Sequence, residues 1–394
     1  MGSRLPVIPA RTIPTFPQIT YTCIENNISM AAEEKVLNAL RRVNDPDIKK
    51  DLVTLNMIRD VQVQDNIISF TIVLTTPACP LKELIRKNCI QALQEDFGPD
   101  ITVQIEMTAD VTSVRNSQQP VLPNVKNIIC VASGKGGVGK STVAVNLALA
   151  LAKSGAQVGI IDADIHGPSI PMMLGARGVR PEVRKIKEKH YIVPLEAQGI
   201  KILSIGLLID EKQAVVWRGP MVTSALKQFV TDCLWGKLDY MIVDMPPGTG
   251  DVHLTIASTV QVTGVVLVST PQEVALADAQ KALSMFRLDT MNVPILGIVE
   301  NMAWFSPAEL PENKYYLFGY EGAKRMAESY ELPLLAQIPL IQGIREGGDT
   351  GQPAALSDNP AMASYWQELA AQVARQVAIR NEQKKQLTAE NSPS

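Results

Sequence analysis

The sequence predicts an α/β fold: a doubly wound, mostly parallel sheet built around a phosphate-binding loop, preceded by a small α+β domain of αββαβ order. Apolar runs at Asn127–Ser133, Val158–Ile161, Tyr240–Val243, Val265–Val268, Ile295–Val299 and Leu334–Ile338 alternate with stretches of helical spacing. Buried parallel strands and their crossover helices read this way. A glycine- and lysine-rich stretch, Gly134–Thr142, follows the first run directly and leads into the alanine-rich helical segment Val143–Lys153. A separate strand pair around Asp65-Asn66 stands well upstream, bracketed by two helical segments.

Taken in order, residues 1–29 carry Pro6, Pro9, Pro14 and Pro17 and little periodicity, which predicts a disordered arm. Met30 is then an alternative start, and a short organellar (plastid) targeting segment is the competing reading of Arg4, Arg11 and the scarcity of acids. Residues 30–107 form the small domain: a helix to Val43, strands Met57–Val63 and Ile67–Leu74, a helix from Leu81 and a strand Ile101–Met107. Residues 108–125, polar and carrying Pro120 and Pro123, read as a linker. The nucleotide-binding domain spans 126–380. In it Met362, Tyr365, Trp366, Leu369, Val373 and Val377 repeat at helical spacing, and a polar tail follows over 381–394.

The loop carries the chemistry. In Gly134-Lys135-Gly136-Gly137-Val138-Gly139-Lys140-Ser141-Thr142 the glycines let successive N–H groups turn inward, and the helix behind adds a partial positive charge. Lys140 is expected on the β- and γ-phosphates, and Ser141 in the oxygen shell of Mg²⁺. Lys135 starts on the outer limb and need not bend back onto its own nucleotide. Ligands of such sheets collect beyond the strand C-termini, where two acidic motifs fall: Asp162-Ala163-Asp164 and Asp244-Met245-Pro246-Pro247-Gly248-Thr249-Gly250-Asp251. Asp244 is expected in the Mg²⁺ shell through water, and Asp164 as the group orienting the attacking water. Gly248 and Gly250 give a mobile segment that senses the γ-phosphate.

Composition excludes more than it selects. The chain has 394 residues, 46% hydrophobic, with a net charge of −3, so no basic surface points to nucleic acid. No apolar run reaches membrane-spanning length. Five cysteines are scattered without a Cys-x-x-Cys pair, which fits a reducing compartment, the cytoplasm. Cys79, in Thr76-Pro77-Ala78-Cys79-Pro80 beside a helix start, is a candidate reactive thiol or iron–sulfur ligand, with a structural role as the alternative. Cys89, Cys130 and Cys233, the last on a presumed helix, read as core. His166, His190 and His253 have no metal-ligand spacing and read as solvated or locally hydrogen-bonded.

The lysine-bearing loop, Asp162-Ala163-Asp164, Arg218-Gly219-Pro220-Met221, the Asp244–Asp251 motif and Glu300-Asn301-Met302 together resemble the Mrp/ApbC family of iron–sulfur cluster carriers, over roughly 124–378. The small domain resembles the iron–sulfur assembly domain often fused in front of them. The resemblance implies an ATP-hydrolysing homodimer that passes an iron–sulfur cluster to apoproteins and works with cluster assembly factors. It further implies that Lys135 reaches the partner's phosphates and that Asn301 contacts adenine. One feature departs from the family pattern: the segment after Asn301-Met302, where many members carry Cys-x-x-Cys, runs Ala303 to Pro311 without a cysteine. Clusters are normally held by four thiolates, which leaves Cys79 as the leading substitute. Trp304, Phe305, Tyr315, Tyr316 and Phe318 gather in that segment, as a partner surface or a packed hairpin. The alternatives are a positioning ATPase like the MinD and ParA relatives, or a nucleotide-regulated scaffold without a cluster of its own.

Overall fold

Strands that are apolar on both faces need cover on both, and here they obtain it from two layers of helices. The structure, a computed structural model, describes residues 32–113, 115, 121–165, 167–208, 219–307, 309–310 and 312–390. The expected N-terminal arm, His166 and Arg218 lie outside these residues.

The small domain has the expected order: α1 (32–40), β1 (Ile58–Gln64), β2 (Ile67–Leu74), α2 (Lys82–Phe97) and β3 (Thr102–Ala109). β2 is central, antiparallel to β1 and parallel to β3. Its alternation buries Ile68, Phe70, Ile72 and Leu74 on one face, against Val36 and Leu40 of α1 and Ile85, Cys89 and Leu93 of α2. Each such side chain contributes about 1.5–3 kcal/mol on burial, enough for a small core of its own.

The larger domain contains β4 (Val125–Ser133), α3 (Lys140–Lys153), β5 (Val158–Asp162), the single turn α4 (Ile170–Met173), β6 (Val183–Ile186), β7 (Lys189–Ile192), β8 (Leu195–Ala197) and β9 (Ile200–Ser204). It continues through α5 (Gly219–Thr231), β10 (Leu238–Asp244), α6 (Asp251–Thr259), β11 (Gly264–Ser269), α7 (Glu273–Arg287), β12 (Ile295–Phe305), α8 (Gly322–Ser329), β13 (Leu334–Leu340), α9 (Gln342–Thr350) and α10 (Pro360–Glu390). The sheet has eight strands in the order β13-β12-β11-β4-β10-β5-β9-β8. All are parallel to their neighbours except β8, antiparallel to β9. One face packs on α3 and α10 through Leu147, Leu151, Trp366, Leu369 and Val373. The other packs on α5, α7 and α8 through Leu226, Phe229, Leu283, Phe286 and Met326.

Several elements differ from the sequence expectation. β6 and β7 pair as a separate two-stranded ribbon with mostly exposed side chains, so no buried face marks them in the sequence. The stripe on α10 ends near Val377, yet the helix runs on to Glu390, through residues expected as tail. Asn381 is fully buried there, and its amide donates to the Thr112 carbonyl (2.8 Å) and to Asn127 Oδ1 (3.1 Å). Glu, Gln and Lys favour the helix that a hydrophobic stripe cannot signal. Cys233 lies just past α5, bridged to Ile192, not on a helix.

The two domains are in contact. The Tyr240 hydroxyl donates to Thr76 Oγ1 (3.2 Å, buried), Ala78 packs against the large core, Arg375 pairs with Asp47 (2.6 Å) and Lys50 with Glu382 (3.0 Å). The described part of the linker is held too. Ser113 Oγ donates to the Lys126 carbonyl (2.6 Å), and the Arg115 guanidinium donates to the carbonyls of Val121, Leu122 and Val125.

Candidate nucleotide site

The loop connects β4 to α3 at the C-terminal edge of the sheet. Gly139 occupies the position before the helix with φ 83°, a left-handed conformation that L side chains rarely take. An added Cβ there would overlap the Asn301 side chain, and one at Gly134 would overlap the Asp278 backbone of α7. The loop is therefore wedged between β12 and α7. Around Gly136 and Gly137, by contrast, an added Cβ meets nothing, so this part of the loop faces open space.

β10 lies between β4 and β5, and its register places Asp244 opposite Val131 on one side and Asp162 on the other. That register delivers the acidic groups to the first residues of α3. Lys140, only 6% exposed, sets its ammonium 2.7 Å from Asp244 Oδ1 and 3.6 Å from Asp164 Oδ2. The Ser141 hydroxyl donates to Asp244 Oδ2 at 2.6 Å. Lys140, Ser141, Asp164 and Asp244, the first and last 104 residues apart in sequence, thus meet at one edge of the sheet.

Asp162 shapes the site without facing it. Its carboxyl accepts from the Asp164 amide (3.1 Å), the Ile170 amide (3.4 Å) and Ser204 Oγ (2.9 Å), fixing the turn that carries Asp164. Burial, helped by the nearby Asp244 charge, pushes its carboxyl up to about 8. Burial also raises Asp244, against the opposing pull of Lys140 and Ser141. Two carboxyl groups, of Asp244 and Asp164, therefore share a single ammonium, with Asp162 behind them. This excess of hard oxygen donors, together with the Ser141 hydroxyl, fits a divalent cation of the magnesium type, which prefers oxygen ligands and retains waters.

The other loop residues hold the cradle. Ser133 Oγ donates to the Lys135 carbonyl (3.0 Å), the Gly248 amide to the Ser133 carbonyl (2.9 Å), and the Asn146 amide to the Thr142 carbonyl (2.8 Å). The Lys135 side chain is half-buried, and no ion pair or hydrogen bond of its ammonium is found among the described residues. Asn301 is buried, and its Nδ2 donates to the Val138 carbonyl (2.8 Å), so in this structure it props the loop. Sequence reasoning missed Ser204 as the partner of Asp162, because β9 carries no motif. It also missed the burial of His253, 1% exposed.

Cys79 is elsewhere. It lies half-buried in the loop before α2, beside the interdomain contact at Thr76. Tyr240, which makes that contact, lies four residues before Asp244 on β10, about 13 Å away at 3.3 Å per residue. Burial raises the Cys79 thiol above its ordinary value despite the Leu81 amide, with Asp45 and Asp47 adding to the rise, which favours the structural one of its two readings. Cys89, Cys130 and Cys233 are pushed up to about 12 by burial, as core thiols are. Among the described residues no group of three or more His, Cys, Asp or Glu is placed to hold a metal ion, and no helix is long and apolar enough to cross a membrane.

The described residues of the cysteine-free segment and those after it form one backbone pair and carry exposed aromatics. Phe305 and Tyr315 exchange backbone hydrogen bonds (2.8 and 2.9 Å), Lys314 lies over the Trp304 ring, and Tyr316 stacks edge-on to Tyr320 with both largely exposed.

Comparison with known proteins agrees with this architecture. Residues 124–377 match the family described as NUBPL iron-transfer P-loop NTPase, and residues 33–107 match the iron–sulfur cluster assembly protein family. An iron–sulfur cluster carrier protein of Synechocystis sp. is 47% identical over 89% of this chain and 99% of its own length. One from Deinococcus radiodurans is 46% identical over 88% of this chain and 96% of its own. Among solved structures, a nucleotide-binding protein of Archaeoglobus fulgidus in complex with ADP is 36% identical with a TM-score of 0.53, covering 62% of this chain and 93% of its own. The chain belongs to the iron-transfer P-loop NTPase family of iron–sulfur cluster carriers, with an iron–sulfur cluster assembly domain in front of the NTPase.

Proposed function

We propose that this protein binds and hydrolyses ATP with Mg²⁺ at the 134–142 loop, and uses the cycle, as a homodimer in the cytoplasm, to deliver an iron–sulfur cluster to apoproteins. The observation that carries the reading is the buried cluster of Lys140, Ser141 and Asp244 at the end of the loop, with Asp164 beside it. A lysine buried between carboxylates is held by charges it can exchange for a phosphate. When ATP enters, Lys140 turns from Asp244 to the β- and γ-phosphates. Asp244 and Ser141 are then free to hold Mg²⁺, Asp244 through water; the ion, when bound, spreads the charge of the phosphate oxygens.

The N–H groups of Gly134, Lys135, Gly136, Gly137, Val138, Gly139, Lys140, Ser141 and Thr142 line the phosphates. Asp164, oriented through Asp162, positions the attacking water. Lys135 meets the phosphates of the second protomer, and Asn301 turns from Val138 to adenine. A cation supplied in this way is worth about a thousandfold in rate, or about 4 kcal/mol of barrier.

The experiment is anaerobic reconstitution with iron and sulfide, followed by measurement of ATP turnover, iron content and transfer to an apo-acceptor. Mg²⁺-dependent turnover with ATP-sensitive cluster release is expected; no uptake and no transfer would sink the carrier reading. A second reading, a nucleotide-regulated scaffold, is favoured by the cysteine-free 303–311 segment. Iron content with and without Cys79→Ser separates the two. If iron is bound and this variant loses it, Cys79 is a ligand. If the wild type itself retains none, the scaffold holds.

A further inference from the structure

The β6–β7 ribbon is basic in a chain whose overall charge is negative. From Arg177 to Lys189 stand six Lys or Arg against two Glu, whereas the whole chain carries −3. The side chains from Glu182 to His190 are exposed. Antiparallel pairing sets Val183 opposite Ile192, Arg184 opposite Tyr191, Lys185 opposite His190 and Ile186 opposite Lys189. The cations of β6 are loosely engaged: Arg184 lies 3.5 Å from Glu182 and Lys185 lies 3.6 Å from Glu188, all four side chains more than half exposed. Such surface pairs contribute little and exchange readily.

The backbone gives this charge a direction. The Val193 amide donates to the Glu182 carbonyl (2.8 Å), which, with that register, makes 182, 184 and 186 the residues that bond to β7. The amides and carbonyls of Val183 and Lys185 then point away from the ribbon, and no hydrogen bond of theirs is found among the described residues. On β7 the corresponding groups of Ile192 are taken: its amide donates to the Asp232 carbonyl and its carbonyl accepts from the Leu234 amide, both at 2.8 Å. One edge of the ribbon is therefore covered at its base, and the β6 edge is open. An open edge is a template for a further strand. A second copy of β6 is a poor occupant, because edge-to-edge pairing would crowd Arg184 and Lys185 of one copy against those of the other.

We propose that the open edge of β6 takes an extended, acidic segment of a partner protein as a third strand. The side chains of β6 define its pattern. Val183 and Lys185 point to one face of the ribbon and Arg184 and Ile186 to the other, so the residues set opposite 183 to 186 are apolar, acidic, acidic, apolar. That pattern reads the same in both directions, and Val183 and Ile186, 58% and 42% exposed, meet its apolar ends. The phosphates of a nucleic acid can meet the cations but bring no backbone amides to the strand edge. Docking of this kind does not depend on the nucleotide reading.

The probe is a labelled octapeptide with Val-Glu-Glu-Val at its centre between threonines, titrated into the full-length protein by fluorescence anisotropy, with hydrogen exchange followed over residues 182–192. Binding at or below about 1 mM is expected, with slowed exchange at Val183 and Lys185 and an affinity that falls as salt rises. Lys185→Glu and Val183→Pro should each weaken it about tenfold. The first reverses a charge; the second removes an outward amide and leaves every bond between β6 and β7 in place, so the unfolding temperature should hold. No binding up to about 1 mM, equal binding of a Glu-Val-Val-Glu control, or unchanged binding by Val183→Pro would overturn the proposal. A short DNA duplex that binds where the peptide does not would also overturn it, and would assign the ribbon to nucleic acid.

Discussion

Two positions on β10, four residues apart, make opposite uses of buried polar groups. At its C-terminal end Asp244 shares the ammonium of Lys140 with Asp164, in a cluster with more carboxyl groups than cations. Toward its N-terminal end Tyr240 makes one neutral hydrogen bond to Thr76, inside an apolar contact between the domains. The first arrangement is stable only while the lysine stays and is improved by exchanging partners. The second is already satisfied and gains nothing from change.

The largest expected effect breaks the first arrangement. Lys140→Ala removes the proposed phosphate contact and leaves the buried Asp244 carboxyl without its cation, a loss of about 3–5 kcal/mol in such pairs. Both nucleotide binding and turnover should vanish, with a clearly lowered unfolding temperature. Lys140→Met, which keeps the aliphatic stem, separates packing from charge. Unchanged ATP affinity in either variant would show that the cluster is structural.

Next comes Lys135→Ala, whose ammonium has no described partner to lose. Turnover should fall about a thousandfold, with nucleotide affinity changed only a few-fold in equilibrium binding. Near-normal turnover would reject the role across the dimer. A smaller effect is expected at the other position: Tyr240→Phe deletes one buried hydrogen bond, worth about 1 kcal/mol. Amide exchange around residues 76–80 should quicken while ATP turnover stays within twofold. A larger change in turnover would mean that the two positions communicate, and the contrast drawn between them would fall.

The same contrast explains what could be read in advance. The loop is a contiguous pattern whose geometry is local, and the acids end apolar strands whose order in a parallel sheet is constrained. Lys140, Ser141, Asp164 and Asp244 were therefore legible before any coordinates. The sequence left two readings of Cys79 open, because a helix start argues for a thiolate while the burial and the Asp45 and Asp47 charges that oppose it arise from tertiary contacts. Ser204 and His253 escaped for a related reason: neither belongs to a periodic pattern, and their partners are set by the packing of β9 and α6. The helix beyond Asn381 was hidden because its anchors, Thr112 and Asn127, lie far away in sequence.

The smallest expected effect concerns Cys79 itself. Its folded thiol lies above the ordinary value, chiefly because burial disfavours the thiolate. A raised folded value means that the native state gains stability from the protonated thiol at low pH, and loses that contribution as pH rises past the ordinary value and through the folded one. The free protein should therefore react slowly with iodoacetamide at pH 8, several-fold more slowly than an exposed thiol, and Cys79→Ser should soften the loss of stability at alkaline pH by a fraction of a kcal/mol. The opposite result, rapid alkylation of Cys79 at pH 8 in the folded protein, would show a thiolate exposed by opening of the domain contact. The quiet position would then be a reactive one, and Cys79 would regain its standing as a cluster ligand.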